Sequence, residues 1–103
     1  MPPSSAWALD DNNFARGEVL FEQNCAGCHL GGANLVKPAK TLQEKDLLKF
    51  IGSSEQAPIQ KFFENSLNHK LLAFPKAPGG KLTETDIVDV TSYISDQAMG
   101  NKW

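Results

Sequence analysis

Both cysteines of this chain fall in one short run, Cys25-Ala26-Gly27-Cys28-His29, and the fold has to be built around it. Residues three apart lie on the same side of one helical turn. Both thiols can therefore reach the two vinyl groups along one haem edge and form thioethers. His29 then follows where its imidazole can bind the iron as the proximal ligand. This spacing, C-x-x-C-H, is typical of covalent haem attachment and predicts one haem c with its iron.

Other uses of the cysteine pair fit the sequence less well. A thioredoxin-like redox motif is expected among alternating strands and helices, which this chain does not show. A structural zinc site needs four ligands, and outside the run His69 is the one remaining histidine. A disulfide between Cys25 and Cys28 would close a very small loop and would stabilise little.

Length and charge exclude several classes of protein. The 103 residues fit one domain, and 10 Lys+Arg stand against 12 Asp+Glu. A near-neutral surface argues against binding nucleic acid by neutralising its phosphates. No apolar run approaches the ~20 residues that span a membrane. A chain this small has a thin core, to which an embedded cofactor would add.

The first residues predict that the protein is located outside the cytosol. Ala6-Trp7-Ala8 matches the small-residue pattern of a signal-peptidase site, although the apolar core and basic start of a signal are absent. We interpret residues 1–8 as the remnant of a targeting peptide or a disordered tail, and residues 9–103 as the folded domain.

Hydrophobic spacing predicts an all-α fold of about four helices. They are expected from Asn12 or Asn13 to Asn24, over 41–51, over 56–68, and from Thr83 to Gly100. The second and the last would start at capping boxes, Thr41-Leu42-Gln43-Glu44 and Thr83-Glu84-Thr85-Asp86. Gly17 inside the first helix predicts close contact with another helix, which we expect to be the last. Trp103 is expected to be a frayed end.

Most of the chain, from Ala15 to Gln97, resembles the cytochrome c6 family of cyanobacteria and algae. Beyond the cysteine run, the similarity is carried by Gly31-Gly32-Ala33-Asn34, Lys40-Thr41-Leu42 and Gly79-Gly80-Lys81-Leu82. It implies a class I cytochrome c fold over residues 9–103, in the thylakoid lumen. It also implies a monomeric one-electron carrier, not an enzyme, that serves photosynthesis between the cytochrome b6f complex and photosystem I.

The sequence departs from this family at the distal side of the iron. The family loop normally holds a methionine ligand, but Phe74-Pro75 stands where Met-Pro is expected. Met99, after the last helix, would have to fold back over the haem. His69 is therefore our candidate for the distal ligand, and the low-potential cytochrome c of photosystem II, whose distal ligand is a histidine, is similar here. The alternatives to His69 are an open iron and ligation by Lys70 or Lys76.

The choice of distal ligand bears on function. Imidazole in place of a thioether favours ferric iron, which predicts a low-potential carrier. There are two alternative functions: a structural subunit of a photosystem, and a small-ligand sensor or peroxidase with an open iron. Two further sets of residues are expected at the haem: an apolar lining and a polar contact to the propionates or bound water. These are Phe62, Phe63, Leu72 and Phe74 for the lining, and Asn34 and Lys40 for the polar contact.

Overall fold

The computed structural model describes residues 11–66, 69 and 82–103, and within these ranges the chain is helical, with no β-strand. The predicted remnant at 1–8 and the loop residues Leu72 and Phe74 lie outside them. The α-helices are α1 (Asp11–Asn24), α2 (Ala26–His29), α3 (Glu44–Phe50), α4 (Gln56–Asn65) and α5 (Glu84–Met99). The all-α prediction is confirmed. The described helices number five, because the cysteine run folds as a short helix of its own.

The first and last long helices pack against each other at Gly17, as predicted. A Cβ placed on Gly17 would lie 2.6 Å from the carbonyl oxygen of Asp89 and 2.8 Å from Cβ of Tyr93. Only glycine allows α1 and α5 to come this close, because neither a backbone carbonyl nor a Cβ can move aside. Arg16, beside Gly17, adds ion pairs to Asp86 and Asp89 across the same junction.

The predicted capping box at the start of α5 is confirmed. The Thr83 hydroxyl accepts a hydrogen bond from the Asp86 backbone N–H at 3.2 Å, and the Asp86 carboxylate accepts one from the Thr83 N–H at 3.1 Å. Two backbone donors that the helix itself cannot satisfy are thereby paired, which fixes where α5 begins.

The predicted capping box at Thr41 is wrong. Helix α3 begins at Glu44 after Gln43, with no side-chain cap. Thr41 instead donates both its backbone N–H and its hydroxyl to the carboxylate of Asp46. Glu44 is turned to a different partner and accepts a hydrogen bond from the Ser54 hydroxyl at 2.9 Å. Hydrogen bonds with Asp46 and Ser54 have thus replaced the predicted cap.

The middle helices end close to their predicted positions. Gly52, at φ 92°, donates its N–H to the Leu47 carbonyl at 3.0 Å and closes α3 in a conformation that favours glycine. Helix α4 stops at Asn65 rather than near residue 68, because Ser66 has extended backbone angles.

The core lies where α1, α3, α4 and α5 meet. Its buried apolar side chains are Phe21, Leu47, Ile59, Phe63, Leu82, Ile87, Val90, Tyr93, Ile94 and Ala98.

The expectation that Trp103 is a frayed end is wrong. Its indole N–H donates to the Leu42 carbonyl at 3.0 Å. Its ring centre lies 5.1 Å from that of Phe21 and 6.0 Å from that of Tyr93. Trp103 therefore packs on the aromatic part of the core, where its N–H finds the partner that a buried indole requires.

Candidate haem site

A cavity of about 400 Å³ opens beside α2 and is bounded by α3, α4 and α5. Its volume falls within the usual range of cofactor pockets, about 300–1,000 Å³. Cys25, Cys28, His29 and His69 all face it, and buried side chains of the core form its far wall. The sequence run that predicts haem attachment therefore borders an apolar cavity, as a haem requires.

Helix α2 presents the two cysteines on one turn. The Cys25 carbonyl accepts hydrogen bonds from the N–H groups of Cys28 and His29, at 3.1 and 2.9 Å. Cys25 is half-buried and Cys28 is exposed, and no disulfide joins them. Burial, with a smaller contribution from the Cys28 charge, raises the pKa of the Cys25 thiol to about 11.

The ring of His29 is oriented by a hydrogen bond. Its Nδ1 lies 2.8 Å from the Ala33 carbonyl oxygen. A carbonyl oxygen can only accept, so Nδ1 carries a proton, and in the neutral ring the lone pair is then on Nε2. This is the tautomer that a metal-binding histidine needs, fixed by a backbone carbonyl behind it.

His69 lies across the cavity from His29. The two ring centres are 6.3 Å apart, and the ring planes are 19° from parallel. A metal bound by two imidazole nitrogens at about 2.0 Å each, with each ring centre about 1.1 Å behind its nitrogen, would separate the ring centres by roughly 6 Å. The separation of the two ring centres therefore matches that of two imidazoles bound to one metal ion.

The surroundings of His69 also fit a ligand. Its Nδ1 is buried and has no hydrogen-bond partner within residues 11–66 and 82–103. Burial first, and then the charge of nearby His29, lowers the pKa of His69, so the imidazole stays neutral with a lone pair to donate. The Phe63 ring, 5.1 Å away, packs on this imidazole.

Other predicted site residues fall into three groups. Phe62 and Phe63 line the cavity, as predicted. Asn34 also lies on its wall, but its amide is used within its own loop, donating to the Lys40 carbonyl at 2.8 Å and accepting from the Lys37 N–H at 2.8 Å. Leu72 and Phe74 lie outside the described residues and stay predictions.

Met99 is not a candidate ligand in this fold. Its side chain is 55% exposed and lies outside the residues that line the cavity. The sulfur instead accepts a hydrogen bond from the Ser95 hydroxyl at 3.4 Å. The described residues thus bring one imidazole, that of His69, opposite His29.

The sequence reading missed part of the cavity wall. Val90, Thr91 and Ile94 of α5 face the cavity, with Ile59 of α4 beside them. Their helical spacing in the sequence is the signal of an inward helix face. Periodicity alone does not say whether an inward face meets protein or cofactor.

Comparison with known proteins agrees with this geometry. The family described as cytochrome c matches residues 14–98. The fold and the cysteine–histidine site define a class I c-type cytochrome with one covalent haem c. A cytochrome c6 of Picosynechococcus is 39% identical over 93 residues, covering 86% of this chain and 77% of that protein. A cytochrome c6 of Parathermosynechococcus lividus is 41% identical over 86 residues, covering 84% of this chain and 92% of that protein. The chain belongs to the cytochrome c6 family.

Solved structures show the same relationship. Cytochrome c6 of the diatom Phaeodactylum tricornutum superposes with a TM-score of 0.72 at 33% identity, covering 87% of this chain and 98% of that one. Cytochrome c6C of a Synechococcus species superposes with a TM-score of 0.67 at 29% identity, covering 82% of this chain and 96% of that one. The chain is thus a small haem electron carrier of photosynthesis, which exchanges electrons with redox partners and is not an enzyme. No helix in the described ranges is long and apolar enough to cross a membrane.

Proposed function

We propose that this chain is a low-potential member of its family, whose iron is bound by His29 on one side and His69 on the other. The observation that supports this most directly is the placement of the two imidazole rings across the cavity, 6.3 Å apart. An imidazole in the place of a thioether donates more strongly to ferric iron and lowers the potential.

Each residue of the site has a separate task in this proposal. Cys25 and Cys28 bind the haem covalently, and the haem supplies the exchange of one electron at its iron. His29 is held by the Ala33 carbonyl at 2.8 Å, which keeps its ring in one orientation. His69 completes the coordination, and Phe63 limits how far its ring can move. Two fixed ligands change little when the iron changes its oxidation state, which suits rapid electron transfer.

The compartment and the partners follow from kinship with cytochrome c6. We place the carrier in the thylakoid lumen, as a monomer in contact with the cytochrome b6f complex and photosystem I. A low potential makes electron uptake from the usual donor of the family less favourable. Of these two partners, the cytochrome b6f complex is therefore the weaker candidate for direct exchange.

Near-infrared magnetic circular dichroism of the ferric haem protein tests the ligand assignment. We expect a low-spin signature of two nitrogen ligands in the unaltered protein and its loss in the variant His69→Ala. The matched control, Phe63→Leu, alters the wall beside His69 but keeps the imidazole, so its spectrum should retain the signature. A high-spin spectrum in the unaltered protein would refute the assignment, as would a nitrogen signature that persists in His69→Ala.

A further inference from the structure

The indole of Trp103 lies against the backbone that follows the haem-attachment run. A Cβ placed on Gly32 would come within 2.5 Å of the Trp103 ring, and Gly32 has a φ of 79°. Glycine is therefore required at position 32 for two reasons. The indole occupies the space that a side chain would need, and the backbone of Gly32 is left-handed. The ring covers Gly32, which is buried as a result.

Hydrogen bonds and the backbone between them connect the same indole to the proximal histidine. Trp103 Nε1 donates to the Leu42 carbonyl at 3.0 Å, and the Leu42 N–H donates to the Gly32 carbonyl at 2.7 Å. Ala33 comes next in the chain, and its carbonyl accepts the His29 Nδ1 proton at 2.8 Å. Two contacts with Trp103, one through packing and one through Leu42, thus converge on Gly32, the residue before the carbonyl that accepts from His29.

We propose that Trp103 is a positioning residue for the proximal side of the haem. It holds the Gly32–Ala33 backbone so that the Ala33 carbonyl accepts the His29 Nδ1 proton, and it thereby sets how strongly His29 donates to the iron. A stronger bond at Nδ1 makes the imidazole more basic and favours ferric iron. Loosening this backbone should therefore raise the midpoint potential.

The test uses the haem-containing protein and the variants Trp103→Phe and Trp103→Ala. Phenylalanine keeps a ring on Gly32 but loses the bond to Leu42, and alanine loses both. Two quantities are measured: the midpoint potential, and the rate at which the His29 Nδ1 proton exchanges with deuterium. We expect a higher potential in both variants, more so in Trp103→Ala. Exchange should be about three- to tenfold faster, the factor for losing one neutral hydrogen bond.

Phe14→Ala is the matched control. Phe14 packs on Tyr93 with ring centres 5.2 Å apart, in the same aromatic cluster but away from Gly32. It should lower the unfolding temperature and leave both readouts unchanged. The proposal is overturned if Phe14→Ala shifts them equally, or if neither Trp103 variant does; where Trp103→Ala fails to fold, Trp103→Phe decides. The exchange rate reports His29 alone, and the potentials are compared between variants with the same distal side, so the test does not depend on His69 being the distal ligand.

Discussion

The α-carbon of Gly17 faces the backbone carbonyl of Asp89 so closely that a Cβ there would lie 2.6 Å from the oxygen. This contact positions the haem site as well as the core. Cys25 directly follows α1, and the residues after Asp89, Val90 and Thr91, form part of the cavity wall. The crossing of α1 and α5 therefore sets the distance between the haem-attaching cysteines and the wall opposite.

Gly17→Ala should destabilise the haem-containing protein by about 1–3 kcal/mol, because the added methyl meets a carbonyl oxygen and a Cβ that cannot yield. Alanine favours helix over glycine by roughly 1 kcal/mol, which offsets only part of this loss. The measurement is urea unfolding followed by circular dichroism. Gly27→Ala is the control, since nothing lies within 4 Å of its added Cβ. Equal stability in the two variants would contradict the packing argument.

Features that depend on neighbouring residues could be predicted from the sequence. The haem-attachment run and the capping box at Thr83 belong to this group. The absence of a side chain at Gly17 also indicates a close helix contact, although its partner, Asp89, is distant in the sequence. Features that depend on distant partners could not. Trp103 finds its hydrogen-bond acceptor 61 residues away, at Leu42. The predicted cap at Thr41 fails at short range instead, because the carboxylate of Asp46, five residues on, accepts hydrogen bonds from both the N–H and the hydroxyl of Thr41.

Thr83→Ala should lower the free energy of unfolding by about 1 kcal/mol, the usual effect of removing an N-cap side chain. The variant leaves the Asp86 N–H without its capping acceptor, the Thr83 hydroxyl. Thermal unfolding beside Thr85→Ala provides the check. Thr85 is an exposed residue of the first turn of α5, where alanine should be neutral or slightly stabilising. If both variants lose the same stability, the capping box contributes nothing measurable.

Stability should fall in acid partly because of Asp86. Burial by itself would raise the pKa of this carboxyl, but hydrogen bonds from Thr83 and Arg16 and the Arg16 charge hold it below its ordinary value of 3.8. The folded protein therefore binds fewer protons there than the unfolded chain. The resulting stability is present above pH 3.8 and is lost as the pH falls through the lower pKa of the folded state.

Arg16→Gln should weaken this acid dependence. At neutral pH we expect a loss of about 0.5 kcal/mol, because Arg16 is half-exposed and surface ion pairs contribute little. Below the ordinary pKa of Asp86, the difference between variant and unaltered protein should shrink. Lys102→Gln, which removes the exposed pair with Asp96, is the control and should leave the acid limb of the stability curve unchanged. The measurement is urea unfolding from pH 2 to 6, and parallel curves for the unaltered protein and Arg16→Gln would count against the role of Arg16.

Carbon monoxide distinguishes a closed iron from an open one. With His29 and His69 on the two sides of the iron, no coordination position is free, so the ferrous protein should form no CO complex under native conditions. His69→Ala should form one on mixing, seen as a shift of the Soret band. Phe63→Leu changes the packing against the His69 ring, 5.1 Å away, without removing the imidazole, and should still exclude CO. Prompt CO binding by the unaltered protein would instead favour a small-ligand sensor, because its iron would then be accessible on the distal side.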